Sequence, residues 1–267
     1  MPSATAVPRP AATVLLVRDH PDPPPGRAPL QVFLQRRVTA MAFAGGMTVF
    51  PGGGVDATDR PDGERWSGPA PQWWAERLGY PADLAGALVH AAVRETFEEC
   101  GVLLAGTGAL PDGLDRHRRD LVDRRRTLTD VLAEAGLVLR ADLLSPWARW
   151  ITPEGPPRRY DTAFFVALVP EGQAADAHTT EAVEATWWYP AEALEHWERG
   201  EMQLMAPTSR TLQEIAELPD SAAVLAAAQE REIRPITPRV REDGDALVAV
   251  LPDDSTVPAT GLRPRRP

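Results

Sequence analysis

Three glutamates follow Arg94 in the run Arg94-Glu95-Thr96-Phe97-Glu98-Glu99-Cys100-Gly101-Val102. On a helix, the spacing of Glu95, Glu98 and Glu99 at i, i+3 and i+4 puts three carboxylates on one face within about one turn. Like charges so placed repel by roughly a few tenths of a kcal/mol per exposed pair. Either solvent screens them or a cation offsets the repulsion. Carboxylate oxygens are the hard ligands that Mg²⁺ and Mn²⁺ favour, with substrate phosphates commonly completing the shell. Arg94, one residue before Glu95 and four before Glu98, can pin a carboxylate by a forked pair. Taken alone, the run fits both a metal-binding turn and a solvated acidic face. Upstream, Phe50-Pro51-Gly52-Gly53-Gly54 adds a backbone turn whose amides and carbonyls can approach a ligand without obstruction by a Cβ.

The elements that must position these groups are readable from periodicity. Apolar residues at helical spacing (Leu84, Leu88, Ala91, Ala92, Phe97, Val102) predict a helix over 82–104 that carries the acidic face. Strands are predicted at 12–18, 30–37 and 47–50, the last running into the glycine turn. Residues 55–80, rich in Pro, Gly, Asp and Trp, show no sustained period. A second, arginine- and aspartate-rich helix is expected at about 115–135, with a solvated face. Strands at 144–151, 160–169 and 185–189 follow, then helices at 191–199, 206–218 and 221–230, and a strand pair at 236–241 and 246–251. Mixed strands and helices without strict alternation indicate an α+β chain with a mixed sheet. Residues 12–252 are expected to form a single domain, with flexible tails at 1–11 and 253–267.

Composition narrows the function classes. Of 267 residues, 43% are hydrophobic and 25% charged, an ordinary globular balance that excludes wholesale disorder. The formal net charge of -10 argues against general binding of nucleic acid or anionic membranes. No apolar run approaches a membrane span, and the N-terminus fits neither a secretory signal nor a lipidation motif. The single cysteine, Cys100, excludes a disulfide framework and a multi-cysteine zinc site. Beside two acids its thiol pKa is expected to rise, which argues against a nucleophile. All 28 residues of the Lys+Arg count are arginine, so no lysine Schiff base or P-loop lysine is available. The expectation is a soluble, cytoplasmic protein.

The glycine turn and the acidic run together resemble the signature of the Nudix hydrolases: Gly, five residues, Glu, seven residues, then Arg-Glu-apolar-x-Glu-Glu-x-Gly-apolar, usually just after Pro-Gly-Gly. The match lies in Pro51-Gly52-Gly53, Arg94-Glu95, Glu98-Glu99 and Gly101-Val102. The chain departs from it in three ways. Asp59 stands at the upstream glutamate position. Thirty-four residues separate Asp59 from Arg94, an insertion of 27, and Thr96 replaces an aliphatic residue. The insertion (about 60–82) makes Asp59 a candidate vestige, distant from the helix in sequence though not of necessity in space. With these departures the chain looks like the branch containing peroxisomal acyl-coenzyme A diphosphatases, a likeness running through 32–53, 145–168 and 189–194. The chain ends Arg-Arg-Pro, so no peroxisomal address is expected.

The resemblance implies a Nudix-type α/β/α sandwich with extra C-terminal helices, and metal-dependent hydrolysis of a nucleoside diphosphate-linked substrate. Coenzyme A or acyl-coenzyme A, cut to 3′,5′-ADP and (acyl)phosphopantetheine, is the leading substrate. Nucleotide sugars, dinucleotides and (oxidised) nucleoside triphosphates are alternatives, as is a non-catalytic ligand sensor. Mapped onto this chain, Glu98 and Glu99 are ligands of Mg²⁺ or Mn²⁺, and Glu95 is a ligand or the base. Arg94 orients a carboxylate, and the carbonyl of Gly53 is a further ligand. Glu181, before the strand holding Trp187, is a second candidate for the base. Gly52, Gly53, Arg36, Arg37, Arg158 and Arg159 are the substrate-binding candidates. Trp66, Trp73 and Trp74 are read as packing the insertion onto the core rather than forming a lid, and His90 as a packing residue. His178 is left unresolved, and a homodimer is left open. The partner is a small nucleotide-type molecule, with neither nucleic acid nor membrane.

Overall fold

The computed structural model describes residues 6–39, 44–61, 63–106, 110–177, 182–244 and 246–259. The chain opens with β1 (Arg9–Asp19) and β2 (Leu30–Arg37), then β3 (Thr48–Val49) and β4 (Gly52–Gly54). The insertion holds β5 (Trp66–Ser67) and α1 (Pro71–Leu78), and leads into α2 (Ala82–Cys100). Next come α3 (Leu114–Val122), α4 (Leu128–Ala135), β6 (Leu139–Arg140), β7 (Ser145–Ile151) and β8 (Tyr160–Leu168). The C-terminal part comprises β9 (Ala182–Trp188), α5 (Pro190–Glu198), α6 (Ala206–Ala216), α7 (Ser221–Glu230) and β10 (Pro235–Ile236). It closes with β11 (Arg239–Asp243), β12 (Ala246–Val250) and β13 (Thr256–Pro258).

Ala11 to Val17 are all buried, and a strand buried on both faces belongs in the middle of a covered sheet. β1 occupies that place. It runs parallel to β8, and its other edge is shared between β4, opposite Ala11–Thr13, and β2, opposite Val17–Asp19. The mixed sheet has the order β10-β7-β8-β1-β2-β3, with β9 also on β2. Alternation along β1 separates two cores. Ala12, Val14 and Leu16 meet Leu88, Val89 and Ala92 of α2 on one face. Leu15 and Val17 meet Leu212 and Ile215 of α6 and Val224 and Ala228 of α7 on the other. The result is the expected α/β/α sandwich.

Several local expectations change. The helix of the acidic run ends at Cys100 rather than 104, because Gly101 turns left-handed (φ 73°) and its N–H donates to Phe97 O at 3.0 Å. The helix expected over 115–135 is two helices. Arg124 adopts φ 57°, and Thr127 starts α4 with a reciprocal capping box to Asp130. The insertion, without period in sequence, contains α1, with Pro71 in its first turn and Gly79 closing it. Trp74 is fully buried, and Trp66 and Trp73 pack against the same core, so the insertion tryptophans are packing residues. The tails are shorter than expected: β1 begins at Arg9, and β13 pairs with β12 and buries Val257.

Candidate active site

The acidic face of α2 is organised by Arg94. Its guanidinium makes five hydrogen bonds. Nε and Nη2 donate to the two oxygens of Asp59, each at 2.9 Å; Nη1 donates to Glu95 Oε1 at 2.8 Å and Glu98 Oε2 at 3.2 Å; Nη2 also donates to Gly54 O at 3.0 Å. Asp59 is therefore no vestige. It is buried, and its Oδ1 lies 3.1 Å from His90 Nδ1. Burial pushes the Asp59 carboxyl upward, but hydrogen bonds from His90 and Arg94 outweigh it and hold it below the usual carboxylate range. His90, expected to pack, is buried and also joins Asp59 to Thr129, whose Oγ1 lies 3.4 Å from Nε2. The forked Arg94–Asp59 pair spans the insertion, so the two halves of the motif meet in space.

The glycine turn lies against the same face. Thr13 Oγ1 donates to Pro51 O at 2.6 Å and Val14 N to the same oxygen at 2.9 Å, fastening the turn to β1. Gly52 N donates to Glu99 Oε2 at 2.7 Å, and Gln35 Nε2 donates to that oxygen at 2.5 Å. Gly52 has φ 153°, and a Cβ there would overlap Ala12 O, while a Cβ on Gly53 would overlap the Glu95 carboxylate. Only glycine admits this approach. Burial, together with Glu98, pushes the Glu95 carboxyl up to about 7 against the opposing pull of Arg94. Burial and then Glu95 push Glu99 up to about 8. Burial likewise drives the Cys100 thiol well above its ordinary value, in keeping with its exclusion as a nucleophile.

This donor set has the chemistry of a divalent-cation site: three carboxylates on one turn, two of them pushed above the usual carboxylate range by burial, which a cation would oppose. Among the described residues, no three Asp, Glu, His or Cys side chains are already gathered around one point. Arg94 holds Glu95 and Glu98, while Gln35 and the Gly52 amide hold Glu99. A cation binding here draws on oxygens that now accept from these donors.

A cavity of about 550 Å³ opens beside the turn, within the size range of small-molecule sites. Gly52, Gly53, Gly54, Arg94 and Glu95 form one wall, and Trp150, Phe164 and the start of α6 form another. Of the substrate-binding candidates, Arg37 and Arg158 line it together with Gly52 and Gly53. Arg36 is instead exposed and 3.4 Å from Glu184. Arg159 donates to Thr152 O and Ala6 O and does not line the cavity, because those carbonyls, just after β7 and just before β1, take its guanidinium. Glu181 and His178 lie outside the described residues. Sequence reasoning missed Gln35, which sits at an inward position of β2 and touches Glu99. It also missed Arg118 on α3, which braces the end of α2 by donating to Glu98 O at 3.0 Å and to Asp176. No helix among the described residues is long and apolar enough to cross a membrane.

Comparison with known proteins places this geometry. A family profile described as the NUDT19 Nudix domain matches residues 71–215, more than half of the chain. A human protein named acyl-coenzyme A diphosphatase NUDT19 is 28% identical over 302 aligned residues, covering 92% of this chain and 79% of that protein. A Caenorhabditis elegans protein named for the nudix hydrolases is 30% identical over 71% of this chain, which spans 57% of that protein's length. The crystal structure of a NUDIX hydrolase from Alicyclobacillus acidocaldarius superposes with a TM-score of 0.67 at 27% identity, covering 84% of this chain and 97% of that one. With a glycine turn, an Arg-Glu-x-x-Glu-Glu helix and an α/β/α sandwich in common with that family, the chain belongs to the Nudix hydrolases, in the group defined by the NUDT19 Nudix domain.

Proposed function

We propose that the chain hydrolyses the diphosphate of coenzyme A or its acyl esters, releasing 3′,5′-ADP and (acyl)phosphopantetheine. The observation that carries the substrate reading is the alignment, over 92% of this chain, with a human protein named for acyl-coenzyme A hydrolysis at its diphosphate. A cavity of about 550 Å³ on the Arg94–Glu95 wall supports it.

In this reading Glu98 and Glu99 would hold Mg²⁺ or Mn²⁺, with the Gly53 carbonyl beside them, and Glu95 serves as a further ligand or as the base. When bound, the ion neutralises charge on the phosphate oxygens and polarises the phosphorus centre. Arg94 acts on the carboxylates: anchored to Asp59, it fixes Glu95 and Glu98 in orientation. The glycine turn lets a diphosphate lie close to the backbone. Glu95 Oε1 accepts from Arg94, which leaves Oε2 to take the proton of the attacking water, and a carboxyl pushed up to about 7 is poised for that transfer near neutral pH. Glu181 is retained as an alternative base. Arg37 and Arg158 pair with substrate phosphates.

The test is incubation with Mg²⁺ or Mn²⁺ and a panel of coenzyme A, acyl-coenzyme A, nucleotide sugars, dinucleotides and nucleoside triphosphates, with product masses recorded. Masses of 3′,5′-ADP and phosphopantetheine are expected. Cleavage of another diphosphate with coenzyme A untouched overturns the substrate, and binding without any cleavage overturns catalysis.

A further inference from the structure

Gln35 stands among the charged groups of the α2 face with half of its amide unused. It lies on β2, where its backbone is paired with Val49 of β3 on one side and Ala185 of β9 on the other. Phe33, two residues before it, packs in the same core as Val93 and Phe97 of α2. Alternation along the strand therefore turns Gln35 toward that helix as well. The residue is 1% exposed. Its Nε2 donates to Glu99 Oε2 at 2.5 Å, the same oxygen that accepts from the Gly52 amide. Its Oε1 is buried and has no hydrogen-bond partner among the described residues. A buried carbonyl oxygen left unpaired costs stability, and an apolar side chain of the same length would fill the place without that cost. An exception of this kind in a native interior calls for a role.

We infer that Gln35 Oε1 is a further oxygen donor to the divalent cation of the α2 face. The terminal torsion of glutamine is broad and roughly two-fold, so a half-turn exchanges the two amide atoms without moving the strand. The half-turn withdraws the N–H from Glu99 and sets Oε1 in its place, beside the carboxylate that Glu99 offers to the ion. In the present orientation the amide steadies that carboxylate; turned over, both oxygens face the same charge. A side-chain carbonyl is a hard, neutral ligand, so it adds a donor without adding to the repulsion among Glu95, Glu98 and Glu99. Because β2 is paired on both edges, the sheet fixes this donor independently of α2, and the ion is gripped from two elements. The role rests on the reading of Glu98 and Glu99 as cation ligands and adds a residue from outside the acidic run.

Mn²⁺ binding to the full chain, measured by calorimetry without substrate, tests this. Gln35→Met keeps the length of the side chain and removes the oxygen. It is expected to raise the Kd for Mn²⁺ by about tenfold or more, and the bound ion is expected to gain a water, read from water-proton relaxation. Gln35→Glu keeps an oxygen at the same reach and removes the N–H, and it is expected to bind Mn²⁺ at least as tightly as wild type. A glutamine that only donates to Glu99 predicts weaker binding in Gln35→Glu, and that outcome overturns the role. An unchanged Kd in Gln35→Met, or a raised Kd with unchanged hydration of the ion, overturns it too. The metal-free urea midpoint of Gln35→Met is expected at or above that of wild type, because the unpaired oxygen is gone. A lowered midpoint with unchanged Mn²⁺ binding would make Gln35 a packing residue. If Gln35→Met does not fold, the comparison of Gln35→Glu with wild type decides. If wild type itself binds no Mn²⁺, the cation reading of the α2 face fails and the donor role with it, which is distinct from losing Gln35 alone at an intact site.

Discussion

The two walls of the cavity are built on opposite principles. On the α2 wall every charged group is engaged: Arg94 makes five hydrogen bonds, Asp59 receives from both Arg94 and His90, and Glu99 accepts from Gln35 and Gly52. Elsewhere in the lining, Thr208 of α6 and Arg158 between β7 and β8 make no side-chain hydrogen bond or ion pair among the described residues, and many of the surrounding side chains are apolar. The difference separates two tasks. Groups that must face a reacting centre gain from fixed orientation, since reorganisation then costs little when charge develops. Groups that recognise the rest of a ligand must remain available to it.

Four measurements can break or sharpen that contrast. The largest effect is expected on the fixed wall. Glu98→Gln and Glu99→Gln should each lose more than ~10²-fold in turnover, as removal of a transition-state metal contact does; an unchanged kcat refutes their assignment. Asp59→Ala leaves Arg94 with two buried donors unfilled and His90 without its carboxylate. Its stability, read from a urea unfolding midpoint, should fall by about 3–5 kcal/mol, as when one partner of a buried pair is removed. Arg158→Ala on the open wall should change the same midpoint by no more than about 0.5 kcal/mol. Comparable losses in the two variants would show that the walls do not differ.

The fourth measurement concerns pH. Glu95 and Glu99 are pushed up from an ordinary value of 4.5 to about 7 and about 8. Their contribution to stability is thus fully present below about 4.5 and is lost as pH rises through 7 and 8. Asp59, held below the ordinary range, contributes in the opposite sense, losing its share as pH falls through its lowered pKa. The melting temperature of the metal-free chain should therefore decline between pH 6 and pH 8.5 in wild type more than in a Glu95→Gln, Glu99→Gln double variant. Mg²⁺ should raise it more at pH 8.5 than at pH 6, since metal binding competes with protonation. An Mg²⁺ effect independent of pH would separate the ion from these carboxylates.

Much of the fixed wall was legible in advance, because its signals are local. The i, i+3, i+4 spacing of Glu95, Glu98 and Glu99 and the apolar stripe of α2 each lie within one helix. Other local signals were present but outweighed. Thr127 and Asp130 form a capping box inside what reads as one long arginine-rich helix, and a start there requires the chain to break at Arg124. Pro71 and Gly79 bracket α1, but eight residues are too few to establish a period in a tryptophan-rich insertion. The arginines were hardest to sort. Arg158 and Arg159 are adjacent in sequence, and only packing sends one to the cavity and the other to the carbonyls of Thr152 and Ala6.

Sequence alone determined that three carboxylates share a helical face and that a run of glycines turns the backbone upstream, because backbone periodicity and the absence of a Cβ are properties of neighbouring residues. Tertiary structure decided that Asp59 returns across 34 residues to hold Arg94, that His90 and Gln35 complete the network, and that Thr208 and Arg158 line the cavity beside it. Those contacts join residues distant along the chain. Their geometry follows from how sheet and helices stack, and no local pattern encodes it.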